Sequence, residues 1–147
     1  MTLFPLPSLY IKEGTRCTLS TIMGESTTGR EDLGLEDLRN AIDAFIAERD
    51  WEQFHSPKNL AMALSVEVSE IVEHFQWLTE EQSKDLPPEK LAELREEIGD
   101  VMIYLIELAD KLGIDPVETA KAKMAINEQK YPADLVKGKS FKYSEYE

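Results

Sequence analysis

One cysteine, two histidines and no long apolar run narrow what this 147-residue chain can be. A single Cys17 rules out an intrachain disulfide and fits a reducing compartment such as the cytoplasm. A membrane-spanning helix needs about 20 consecutive apolar residues, and no stretch approaches that. Positive charge is scarce as well: sixteen basic against twenty-nine acidic residues give a formal charge of −13. A phosphodiester backbone would repel such a chain, so a nucleic-acid polymer is a poor partner. A small polyanion remains accessible through metal ions, because acids gather metals and metals gather phosphates. Zinc-hydrolase spacing, a glycine-rich phosphate loop and a nucleophile elbow are all missing. A carboxylate-bridged di-iron bundle needs two E-x-x-H motifs on separate helices, and only Glu52/His55 fits, in a loop.

What is present is helical punctuation. Residues 1–33 read as a poorly ordered tail: "MTLFPLPSLYIKEG" has prolines where a signal peptide needs its apolar helix, and lacks a basic start. Met23, in "STIMGESTTGRED", is a candidate translation start. A first helix is predicted over 35–49, with Leu38, Ile42, Phe45 and Ile46 on one face. Ser56-Pro57 supplies an N-cap and a first-turn proline, so a second helix spans 57–78. "TEEQSKDLPPEK" reads as a surface loop. Its prolines launch a third helix over 88–112, stopped by Gly113. "DPVE" combines an N-cap aspartate, a proline and a capping-box glutamate, starting a fourth helix near residue 115 that Pro132 ends. No alternating strand pattern competes, so the fold class is all-α. The expected domain is a helical unit over 34–135, followed by a tail over 136–147. The two long helices should pair antiparallel, with the first and fourth alongside. "VMIYLI" (101–106) is apolar on every side, and four helices of one short chain would hardly cover it. A second subunit is therefore expected, completing the bundle as a homo-oligomer.

The acids of the long helices are oddly placed. At 100° per residue, Leu60, Leu64, Val68, Ile71, Val72 and Phe75 fill one arc of the second helix, and Glu67 falls on its edge. Glu70 follows on the same flank, next to Trp77, while Glu73 points to solvent. In "REEIGDVMIYL", Glu97 and Asp100 flank the arc of Leu94, Ile98, Val101 and Leu105 in the same way, and Tyr104 follows one turn on. Gly99, unfavourable mid-helix, points to a close approach there by a backbone or ligand. A half-buried carboxylate is unstable unless something positive meets it. Four converging carboxylates need divalent cations between them, and all-oxygen donors favour Mg²⁺ or Mn²⁺ over Zn²⁺. The bland alternative is two solvated helix faces. It fits one E-x-x-E well and fits two core-flanking pairs on consecutive helices poorly.

The pair Glu67-x-x-Glu70 and Glu97-x-x-Asp100, 26 residues apart, resembles the signature of the MazG-like all-α nucleoside triphosphate pyrophosphohydrolases. "ERDWEQFHSPKNLAMALSVEVSEIVEHFQWL", "EEIGDVMIYL" and "KMAINEQKYP" are similar to its dCTP pyrophosphatase branch over about residues 35–145. Val66 stands where many MazG-like members carry a doubled glutamate, which leaves four acid ligands. The resemblance implies Mg²⁺-dependent hydrolysis of a nucleoside triphosphate, dCTP in this branch, to monophosphate and pyrophosphate, in a dimer or a tetramer built from dimers. It implies Glu67, Glu70, Glu97 and Asp100 as metal ligands and catalytic acids. Trp51, His55, Trp77 and Tyr104 match positions around the nucleoside; Lys123, Asn127, Lys130 and Tyr131 match the phosphate and sugar end. Lys123, Asn127 and Lys130 share one helical stripe, whereas Lys121, Lys137, Lys139 and Lys142 read as solvated charge. The aromatics could instead be core residues, and His74 reads as structural. A broader or modified-base pyrophosphohydrolase, and a catalytically idle metal- or partner-binding module, are the competing functions.

Overall fold

The computed structural model describes residues 34–140. The tail over 1–33 with Cys17 and Met23, and the chain end over 141–147 with Lys142, lie outside the described residues. Among the described residues there is no strand. Six α-helices follow one another: α1 (Leu35–Ala47), α2 (Pro57–Phe75), α3 (Glu80–Ser83), α4 (Pro88–Lys111), α5 (Pro116–Lys130) and α6 (Ala133–Val136), with a 3-10 turn at Glu52–Phe54. The short α6 runs across the boundary placed at residue 135.

The starts follow the capping chemistry. The Ser56 hydroxyl accepts from the Asn59 backbone N–H at 3.3 Å, ahead of Pro57. The Asp115 carboxylate accepts from the N–H groups of Val117 (2.8 Å) and Glu118 (2.9 Å). The ends fall short of the predicted ones. At Asp50 the backbone turns left-handed (φ 54°), which closes α1 three residues after its last regular residue. α4 ends at Lys111, before Gly113 at φ 64°, where a side chain would be strained. The segment read as a loop holds a one-turn helix, α3. There the Thr79 hydroxyl and the Gln82 side chain cap each other's backbone N–H.

α2 and α4 pack extensively on each other, and α1 lies against α4. His74 faces Glu93 (3.9 Å), Glu67 and Glu70 face Glu97, and His55 bonds Glu107. Partners fall along one helix as they rise along the other, so the pair is antiparallel, as predicted. Ile42, Ile46 and Ile106 form the core, with Leu38, Phe45, Trp51 and Ile103 packed around them. Leu60, Ala63, Leu94 and Ala109 are buried along the helix pair.

One packing expectation is corrected, the place of the last long helix. The fourth long helix, α5, makes at most marginal contact with the other described helices, and none of its residues is buried. Its sequence explains this: Val117 and Met124 share one face but Ile126 lies on the opposite one, so no broad apolar stripe forms. The apolar arc of α2 is only partly covered, since Val68 and Val72 are exposed, the latter by 58%. On α4, Ile98, Met102 and Leu105 are exposed too, so "VMIYLI" is buried on one side only within a single chain. No helix among the described residues is long and apolar enough to cross a membrane.

Candidate metal and nucleotide site

The antiparallel register brings the two E-x-x-[ED] pairs together. One carboxylate oxygen from each of Glu67, Glu70 and Glu97 lies within 4.8 Å of the other two. Asp100 stands one turn from Glu97 and adds its field to Glu67 and Glu97. Glu67 and Glu97 are half-buried and Glu70 is exposed. The electrostatics are those of crowded like charges. Burial, then Glu70 and Asp100, hold the Glu67 carboxyl above its ordinary range. Burial and the nearby Glu70, Glu67 and Asp100 push Glu97 up to about 7. Asp100 is raised as well, by burial, by Glu70 and by Glu96. No cationic side chain answers them: among the described residues, the ion pairs formed by lysine, arginine and histidine all lie elsewhere. An all-oxygen cluster with three donors this close fits a hard divalent cation, which would relieve the repulsion.

Gly99 lies beside this cluster. A Cβ added there would meet nothing within 4 Å, so no backbone among the described residues makes the close approach expected from the sequence.

Tyr104 continues the face of α4 beyond Asp100 and is half-buried. Burial and the charges of Glu67, Asp100 and Glu107 push its hydroxyl up to about 12. At neutral pH it is a hydrogen-bond donor and never a base. The other aromatics divide. Trp51 packs into the α1 core, edge-on to Phe45 at 5.8 Å between ring centres. Trp77 sits past the end of α2 and is 85% exposed.

His55, read from the sequence as facing the base or phosphates, is only 7% exposed and is bonded through Nδ1 to Oε1 of Glu107. Glu107, 4% exposed, is the residue that sequence reasoning missed. Burial raises its carboxyl, while His55 and Lys111 draw it back down. The signal was an acid three residues after Tyr104 in an otherwise apolar run. His74 is half-buried and faces Glu93, in keeping with a structural part.

The phosphate-end residues are not gathered with the acids. Lys123, Asn127 and Lys130 are exposed on α5, and Tyr131 caps its end. A separate cavity of about 500 Å³ opens between α1, the end of α4 and the start of α5, lined by Leu35, Arg39, Ile106, Asp110 and Val117. None of the predicted site residues lines it.

With this geometry in hand, the likenesses to known proteins gain meaning. The model of the MazG-like family matches residues 62–146. dCTP pyrophosphatase 1 of mouse and of human are each 46% identical over 113 residues, 76% of this chain and 66% of theirs. The bovine protein of the same name is 41% identical over 130 residues, covering 83% of this chain and 77% of its own. The chain thus spans about two thirds of the length of the rodent and human relatives. A solved pyrophosphatase from Archaeoglobus fulgidus superposes with a TM-score of 0.64 at 38% identity, over 74% of this chain and 99% of that one.

Proposed function

This chain belongs to the MazG-like family, and from that footing we propose that it hydrolyses dCTP to dCMP and pyrophosphate with Mg²⁺. The observation that carries this is the convergence of Glu67, Glu70 and Glu97 beside Asp100, in a chain that aligns with dCTP pyrophosphatases through this stretch. A divalent cation held there supplies the positive charge that phosphate oxygens and a departing pyrophosphate require. The chain's own side chains do the rest. Glu67 or Glu70 takes the proton of the attacking water. As the water oxygen bonds to the α-phosphorus in line, the bond from that phosphorus to the bridging oxygen breaks and pyrophosphate leaves. Tyr104, held protonated, donates a hydrogen bond toward the nucleoside. Trp51 and Trp77 offer faces for the base, and Lys123 and Lys130, with Asn127 and Tyr131, set apart from the acids within one chain, meet the phosphates and sugar once α5 is seated in the assembly.

We further propose that the working unit is a homo-oligomer, a tetramer built from dimers, acting in the cytoplasm. The uncovered Val72, Ile98, Met102 and Met124, together with an α5 that has no bed among the described helices, support a second copy as their cover. Light scattering at micromolar concentration should return a multiple of the chain mass; a monomer would overturn the assembly.

The function is tested by incubating pure protein with each nucleoside triphosphate and Mg²⁺ and separating the products. dCMP and pyrophosphate should form fastest. Release of inorganic phosphate from dCTP would contradict the cleavage site. Equal cleavage of dATP and dGTP would leave the chemistry and overturn the base preference.

A further inference from the structure

The pair His55–Glu107 lies outside the acidic cluster, and neither the fold nor the reading above uses it. It is almost wholly buried, with Lys111 and Tyr104 on α4 and Asp43 on α1 as its charged or titratable neighbours. A buried ion pair gives no more stability than well-packed apolar side chains of the same volume, but it is directional. It fixes one orientation of one imidazole. The residue that carries it closes a hydrogen-bonded turn: the His55 backbone N–H donates to the Glu52 carbonyl (3.1 Å) and the Phe54 backbone N–H to the Trp51 carbonyl (2.9 Å). The Trp51 N–H donates back to the Ile46 carbonyl (3.2 Å), so the turn is tied to α1 at one end and to α4 at the other. The Trp51 and His55 rings are 6.4 Å apart.

On α4, Asp100, Tyr104 and Glu107 follow at i, i+4 and i+7, one stripe about 10 Å long. The acids hold one end of it and the pinned turn the other. We propose that Glu107 is a positioning residue for the nucleoside end of the site: by holding Nδ1 of His55 it sets the 51–55 turn, and with it the Trp51 ring, beside Tyr104. This rests on the nucleotide-hydrolase reading for the use to which Trp51 is put. The cluster itself does not depend on it, so Glu107 governs how well nucleotide is held and leaves the chemical step alone.

The test compares Glu107→Leu, Glu107→Asp and Glu107→Gln in the full chain. Leucine removes the acceptor, aspartate keeps the charge but withdraws it by one methylene, and glutamine keeps an acceptor in place. The leucine and aspartate variants should raise KM for dCTP about tenfold with kcat within about twofold, and glutamine should restore KM. In a Trp77→Phe background, the remaining Trp51 emission should shift to the red when Glu107→Leu is added. An active wild type whose KM is unchanged by leucine and aspartate, even with a lowered melting temperature, makes the pair a core contact only and overturns the proposal. Should leucine prevent folding, aspartate alone decides it in the same way. A wild type that cleaves no triphosphate removes the functional reading and the proposal with it, whereas the KM result overturns the proposal alone.

Discussion

α2 and α4 bring carboxylates between them at one end, and α4 meets the turn ahead of α2 with another carboxylate at the other; the two solutions are opposite. Toward the α3 side, Glu67, Glu70 and Glu97 crowd within 4.8 Å with no cation of the chain beside them. Some 15 Å along α4 from Glu97, Glu107 is buried deeper than any of them, yet His55 answers it directly. One acid has its hydrogen-bond partner written into the fold, and the other group has not. A cluster that stays half-exposed and unanswered gains by taking its counter-charge from outside, whereas a buried acid must carry its partner with it. The contrast separates a cluster open to a cation from a pair complete in itself.

The largest effect should come from breaking the open cluster. Glu67→Gln or Glu97→Gln should cut turnover by more than about a thousandfold while circular dichroism keeps its helical form, and excess chelator should do the same to wild type. Without metal these variants should be no less stable than wild type, because each removes repulsion. Turnover surviving in either variant breaks the comparison at its functional end.

The closed pair should respond in the other currency. Glu107→Ala strands a buried imidazole and should cost about 3–5 kcal/mol in urea unfolding, far more than either cluster variant. A loss under 1 kcal/mol would mean the two ends are not different after all.

Trp77→Ala should come next, weakening all triphosphates by roughly tenfold in KM with little change in base selectivity, since stacking tolerates every base. An exposed ring that contributes nothing would leave KM unmoved.

The smallest effect is in pH. Glu97 titrates at about 7 in the fold against 4.5 as a free side chain, so it is folded-state protonation that is favoured. Its contribution to stability is therefore fully present below about pH 4.5 and is lost as pH rises to about 7 and above. Metal-free protein should melt at lower temperature at pH 8 than the rest of its titration accounts for, and Glu97→Gln should flatten that part of the slope. Thermal melts across pH 4 to 8 read this directly.

Much of this was legible in the residues. The starts of the long helices come from local capping, Ser56-Pro57 and Asp115-Pro116, and local chemistry survives without the fold. The convergence of the acids was legible too, because two core-flanking pairs on antiparallel neighbours have few other places to go. Their ends were less so: α2 stops at Phe75, although apolar Trp77 and Leu78 continue the pattern that periodicity follows. The partner of His55 was not legible, since Glu107 is 52 residues away and only the helix register joins them. Nor was the isolation of α5, because good capping makes a helix without saying what it lies on.

The central claim is that the open cluster takes its missing positive charge from a divalent cation. Mn²⁺ titration followed by electron paramagnetic resonance tests it most directly, on wild type, Glu67→Gln and Glu107→Gln. Wild type and Glu107→Gln should bind Mn²⁺ alike, and Glu67→Gln at least about tenfold more weakly. Equal binding by all three proteins, or none by wild type at millimolar Mn²⁺, would contradict the account.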